Sequence, residues 1–328
     1  MKRINTIILP LLAAAALSSC SKQAAPDSNF PEDRVIRVQA SVLPSTKGSY
    51  TTYNLSEFAF YSLDFDAFQY QYSKKCSRSP YSFEGYAPSW KWDGDAPLWK
   101  NSSDIVGMIA IAPVHSDYQN LSFDTFNHTH LTGYTFQIQT EQSFSDNDSD
   151  LIGWCEKGRT LDLLNSDKKV NITFQHLLSR LNLTFVLATE FNALAIPTSD
   201  IVSDVVIKDA STEARVQLLP EGYLSAAVTS TSAKDDVKAY NTGWTAASKK
   251  EDRCRSQWEC ILVPETGTGI TISFNVNGKP YICILSGKDL EQGKAHNLTI
   301  NVGKDVATVG SMTIAAWEDG GSSNLETE

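Results

Sequence analysis

Histidine, positive charge, long apolar runs and helical periodicity are all scarce in this sequence, and each shortage closes off a class of function. Five histidines in 328 residues are a thin supply for proton transfer. Neither G-x-S-x-G nor H-E-x-x-H occurs, and catalytic carboxylate pairs cannot be picked out without geometry, so no enzyme is expected. Lysine and arginine number 28 against 38 aspartates and glutamates, a formal charge of −10. Binding a phosphate backbone needs a basic stripe, so nucleic acid is not an expected partner. No run reaches the roughly 18 apolar residues of a spanning helix. There is no C-x-x-C; Cys254 and Cys260 stand six apart, which is not a zinc spacing. What is present suffices for a packed protein: 41% hydrophobic and 10% aromatic residues exclude wholesale disorder. At about 150 residues per domain the length fits about two domains.

The N-terminus reads as an address. Lys2 and Arg3 precede an apolar stretch, residues 7–17, that carries Pro10 and is too short to span a bilayer. It ends at Leu17-Ser18-Ser19-Cys20, which looks like a bacterial lipobox. Residues 1–19 are then a signal peptide and Cys20 carries the lipid; several acyl chains on one residue anchor a protein stably. Residues 20–33 read as a flexible tether, and residues 319–328 as a polar flexible tail. Cys76, Cys155, Cys254, Cys260 and Cys283 remain, an odd number, so at least one thiol is free or pairs between chains. A Cys254–Cys260 bridge stays open in an oxidising compartment; mostly buried, inert thiols are the expectation.

The body reads as β structure. Alternation recurs between Gly, Pro, Asn and Ser punctuation, as at residues 35–42, 58–63, 65–72, 132–140, 181–187 and 201–208. Residues 104–112 form a continuous apolar run, which predicts a strand buried on both faces. Asn277-Gly278 predicts a type I′ hairpin, because both central residues need positive φ. That register pairs Val276 with Lys279, Phe274 with Tyr281, Ile272 with Cys283 and Ile270 with Leu285, and points Cys283 into an apolar layer. Residues 233–255 are polar and charged and read as a long loop. About eight short strands per half suggest two β-sandwiches, 34–167 and 168–318.

Three clusters invite chemistry. His128 and His130 share a strand face but have no evident third ligand. Asp146, Asp148 and Asp150 resemble the start of a calcium loop, but Leu151 stands where glycine is needed, so a solvated loop is the better reading. No metal and no cofactor are expected. Trp90 and Trp92 on one strand face, with Trp99 nearby, are either a sugar-stacking platform or aromatic packing over the sandwich edge. His176, in an apolar stretch, reads as a satisfied structural histidine.

Several blocks, in order, resemble the fimbrillin-like (Mfa-like) surface lipoproteins of Bacteroidia, subunits of type V pili. They are the lipobox, Val35-Ile36-Arg37-Val38-Gln39-Ala40-Ser41, Asn54-Leu55-Ser56-Glu57-Phe58, Leu98-Trp99-Lys100 through Ala112-Pro113, and Asp150-Leu151-Ile152-Gly153-Trp154. Phe174-Gln175-His176-Leu177-Leu178-Ser179-Arg180-Leu181 is the most distinctive, and Ile261 to Thr266, Leu290 to Lys294 and Val309 to Gly321 follow. The resemblance implies an all-β fold of two transthyretin-like β-sandwich domains in tandem. It implies a structural or adhesive subunit of a surface fimbria, assembled by protease-triggered strand exchange. Its partners would be other pilus subunits, the outer membrane through the lipid anchor, and host or microbial surface ligands. Cleavage after Arg37 or, better placed, Lys47 would remove the first strand; family members commonly carry Arg at the latter place. The donor would come from residues 308–317 or the tail, with Met312, Ile314 and Ala316 filling pockets. Otherwise that strand completes its own domain. The alternative is a non-polymerising surface lipoprotein that binds glycans through Trp90, Trp92 and Trp99.

Overall fold

The computed structural model describes residues 29–43, 50–64, 69–79, 89–116, 118–119, 122–123, 131–143, 148–219, 223–228, 233–267 and 269–317. Cys20, Lys47, His128, His130, Asp146 and the tail 319–328 lie outside the described residues.

The protein is all-β; the described residues form four sheets and one 3-10 turn, at Thr189–Asn192. The largest sheet has seven strands, in the order β1 (Val38–Val42), β9 (Val170–His176), β8 (Ile152–Arg159), β5 (Ile105–Ala112), β2 (Glu57–Asp64), β3 (Gln69–Arg78) and β4 (Trp90–Trp92). β1 runs parallel to β9, whereas the other pairings within it are antiparallel. The sheet curls until its first and last strands approach. Val35 bridges to Leu98, and the N–H of Ile36 donates to the carbonyl of Pro97 at 2.9 Å.

The apolar run predicted to be buried on both faces is β5. Val106, Met108, Ala110 and Ala112 enter a core inside the curl, with Phe58, Phe60, Trp99, Ile172 and Phe174. Ile109 and Ile111 face the other way, into a second core with Ala59, Tyr61 and Leu63. That second face is met by a four-stranded sheet in the order β13 (Tyr223–Val228), β12 (Glu213–Leu219), β7 (Leu131–Gln137) and β6 (Ser122–Phe123). β7 comes from the first half of the chain and β12 from the second, and they pair antiparallel with Ala214 opposite Phe136.

The remaining strands make two sheets. One has the order β15 (Tyr240–Thr245), β16 (Arg255–Leu262), β10 (Ser179–Leu187), β19 (Lys294–Val302) and β20 (Ala307–Ala316). The other has the order β14 (Lys234–Lys238), β11 (Val202–Ser211), β17 (Ile270–Val276) and β18 (Lys279–Leu285). Leu183, Phe185, Ile207, Ile272, Phe274, Cys283 and Leu298 fill the core they share. The β17–β18 hairpin has the register read from its turn, from Val276–Lys279 to Ile270–Leu285. Asn277 and Gly278 both have positive φ, 54° and 78°.

Residues 233–255 are not one long loop. β14 and β15 lie within them, separated only by Ala239. Both are edge strands, so water satisfies one side and a polar sequence costs them little; Val237, Ala239 and Tyr240 supply the buried contacts.

Candidate functional site

The structure's most distinctive feature is the way β1 is held. From residue 36 to the end of the strand burial alternates strictly: Ile36, Val38, Ala40 and Val42 are buried, while Arg37 is exposed and Gln39 and Ser41 are half-buried. Period-two alternation of branched residues is what a one-sided strand requires. The ladder pairs Val38 with Val170, Ala40 with Ile172 and Val42 with Phe174. The parallel arrangement therefore puts three apolar residues of β9 in the same core as those of β1. Burying each branched side chain is worth about 1.5–3 kcal/mol, so the strand is held firmly.

Its two ends are tied differently. Before β1, Arg34 adopts a φ of 58°. Its side chain donates from Nε to the carbonyl of Trp99 and from a terminal nitrogen to that of Lys100, both at 2.8 Å. Trp92 donates from Nε1 to the carbonyl of Ile36 at 2.7 Å. The guanidinium of Arg37 pairs with Asp33 and holds that carboxyl down at about 2. After β1, Leu43 donates to the carbonyl of Phe174 at 3.0 Å, and Thr52 Oγ1 bonds both the N–H and the carbonyl of Val42. Arg37 and Lys47 therefore differ as cleavage positions. The Arg37 carbonyl accepts the Val170 N–H at 2.8 Å, and a cut after it leaves Val38–Val42 joined to the body. A cut after Lys47 separates all of β1.

Trp90, Trp92 and Trp99 form the wall of this cradle where the curl closes beside residues 34–36. Trp90 packs edge-on against Phe58, with ring centroids 4.9 Å apart, and Trp92 sits 5.1 Å from Phe60. Trp99 is 1% exposed, so it offers no face for stacking a sugar. Sequence alternation could place Trp90 and Trp92 on one face; it could not show Phe58 and Phe60 beneath them. The Arg34 clamp leaves no local mark in the sequence either, because its acceptors are backbone carbonyls some 65 residues away.

At the other end of the chain, β20 is an edge strand paired with β19, and none of its ten residues is buried. Met312 is half-buried against the core, Ile314 is 49% exposed and Ala316 is exposed. Leu298 lies opposite Met312 and Ile300 opposite Val309, so a bulge interrupts the pairing. Trp317, just beyond, is fully buried and stacks on His176, with centroids 4.5 Å apart and planes 5° from parallel.

His176 is tied into a buried polar network. Its Nδ1–H faces both carboxylate oxygens of Asp150, at 3.0 and 3.1 Å. Asp150 also accepts the Tyr50 N–H at 2.7 Å. Arg180 lies 6.0 Å from the Trp317 ring and 3.8 Å from Glu259. Burial pushes the Glu259 carboxyl up, opposed by Arg180 and by the hydroxyl of Tyr240, which donates to it at 2.8 Å. Ser179 donates to the carbonyl of Glu291, so it is not paired with His176 as a nucleophile. No cluster of three or more metal-ligating residues occurs among the described residues. The five described cysteines are buried and form no disulfide with one another, and burial pushes the thiols of Cys76, Cys260 and Cys283 up, away from the reactive thiolate.

His296 carries a pH signature. It is fully buried, and its Nε2 accepts the Glu291 N–H at 2.9 Å. Burial lowers its pKa below the ordinary 6.5. A lowered histidine favours folding above its unfolded pKa, and that contribution is lost as pH falls through the folded one. Chemical denaturation at stepped pH is expected to show stability declining below about pH 6.5. The decline should be shallower in His296→Gln; an identical profile would show that His296 does not set it.

The fimbrillin-like family model matches residues 61–317. A protein from Bacteroides uniformis described as a cell adhesion protein has the same fold at 17% identity, with TM-score 0.56 over 88% of this chain and 99% of its own. One from Bacteroides ovatus, likewise described, matches at 10% identity, with TM-score 0.57 over 86% of this chain and 97% of its own. No curated protein matches the sequence. A family match across most of the chain, on the all-β fold that the resemblance implied, settles the relationship: the protein belongs to the fimbrillin-like family.

Proposed function

We propose that the protein is a structural or adhesive subunit of a surface fimbria, exported as an outer-membrane lipoprotein through Cys20 and assembled by exchange of β1. The observation that carries this reading is the cradle itself. β1 is an edge strand that completes a core, and one cut in residues 44–49 separates it from the body. A vacated cradle exposes the unpaired edge of β9 and a row of apolar side chains. That is the arrangement a strand from another subunit fills by β-augmentation, with ladder bonds for affinity and alternate side chains for specificity.

β20 is the proposed donor. It is an edge strand without a fully buried side chain, held on one side only by its ladder to β19 and by the packing of Ala307, Val309 and Met312 against the core. Met312, Ile314 and Ala316 would be its inserted residues. Membership of the fimbrillin-like family and the shared fold with proteins described as cell adhesion proteins support a place at the cell surface among other pilus subunits. Lys47 is the proposed processing position, because a cut after Arg37 leaves β1 in place.

The test is limited proteolysis of a lipid-free Cys20→Ala precursor with a Lys/Arg-specific protease, with the new N-terminus sequenced. Cleavage after Lys47 should be followed by a ladder of multimers that persists in detergent and collapses on boiling. A cut product that stays monomeric at high concentration would overturn strand exchange.

A further inference from the structure

We infer that the cradle chooses its occupant by the size of one side chain: a strand that replaces β1 must carry a small residue where Ala40 now lies. This rests on the strand-exchange reading and adds a selection rule to it.

Ile36, Val38, Ala40 and Val42 enter the same core, and Ala40 is only 2% exposed, so a small side chain sits inside a filled space. Its ladder partner on β9 is Ile172, between Val170 and Phe174. Phe174 meets Phe58 at 5.3 Å between centroids, and Phe58 meets Trp90 at 4.9 Å. Three rings thus cross the core from β9 through β2 to β4, and β9 and β4 are the two strands that flank the β1 segment. A larger side chain at position 40 must displace Ile172 or a ring, and close-packed interiors resist that.

The consequence is a register. A slip by one residue would drive Arg37, Gln39 and Ser41 into the core, and alternation alone forbids it. A slip by two keeps the apolar face inward, and alternation cannot forbid that. Only the sequence of sizes can: bulky, branched, small, branched. Ala40 is the residue that breaks the tie. The occupant is therefore a strand of a neighbouring subunit with that order of sizes. Met312, Ile314 and Ala316 match its first three sizes, in the order of Ile36, Val38 and Ala40, whereas Glu318 stands where the branched residue at Val42 would lie.

The test uses the full chain nicked after Lys47, with a fluorescent label on the N-terminal fragment. Peptides spanning residues 35–43 compete for the cradle in mild denaturant, and release of the label is read. The native-sequence peptide should displace the fragment. An Ala40→Leu peptide should need roughly 10- to 100-fold more for equal release. An Arg37→Leu peptide gains the same kind of apolar bulk on the exposed face and should match the native one. Equal competition by the Ala40→Leu peptide would sink the size rule and leave strand exchange standing. Failure of the native peptide would remove both. Because the substitutions sit in the peptides, folding of the protein does not enter the outcome.

Discussion

Phe58→Ala is expected to lower the stability of the protein by about 3–5 kcal/mol, the usual range for emptying a buried phenylalanine site. Phe58 is fully buried on β2, and its ring stands between Trp90 and Phe174, joining β2, β4 and β9. Its removal leaves a void bounded by rings that belong to three strands and cannot easily close together. β1 lies along the same core, so its burial should weaken as well. Denaturant unfolding followed by tryptophan fluorescence checks this, since Trp90 reports directly on the site. A loss under about 1 kcal/mol would mean that the core inside the curl relaxes freely, and that the size rule at Ala40 has no rigid wall behind it.

Asp150→Ala should be comparably costly, about 3–5 kcal/mol. Asp150 is fully buried and serves two donors, the Nδ1–H of His176 and the backbone N–H of Tyr50. Alanine removes the acceptor for both, and a buried donor without an acceptor bears its whole desolvation penalty. The effect should also reach the far end of the chain, because the His176 ring lies flat against Trp317, just past β20. Asp150→Asn keeps an acceptor oxygen and should recover part of the loss. The check is unfolding of both variants, with amide exchange in β20 as the second readout. Equal exchange in wild type and Asp150→Ala would confine the network to local packing.

The parts of the fold legible in the sequence are those in which local chemistry decides. The β17–β18 hairpin follows from Asn277-Gly278, since two positive φ angles at fixed positions set the turn and the turn sets every pair. β5 follows from an unbroken apolar run, and its side chains divide between two cores as such a run requires. The inward face of β1 follows from alternation. Its neighbour does not: β1 and β9 lie about 130 residues apart in the chain, and parallel pairing carries no turn that could mark it. β14 and β15 were hidden for the opposite reason, since edge strands tolerate the polar residues that make residues 233–255 look like loop. The pairing of β7 with β12 joins the two halves through strands that neither half specifies alone. At the site, Ile36, Val38, Ala40 and Val42 could be seen to share a face, and Trp90 with Trp92 likewise. That the second set walls the cradle of the first depends on the curl of a seven-stranded sheet.

Under the proposed strand exchange, β1 must leave its cradle before subunits join. Gln39 and Asn171 are ladder partners on the side of β1 turned away from the core. Neighbouring strands lie about 4.8 Å apart, within the span of a disulfide. A Gln39→Cys/Asn171→Cys variant, oxidised to lock β1 onto β9 and then nicked after Lys47, should stay monomeric. Reduction of the same nicked sample should release the strand and produce the boiling-sensitive ladder. Multimers forming equally well with the lock closed would show that assembly does not pass through the β1 cradle.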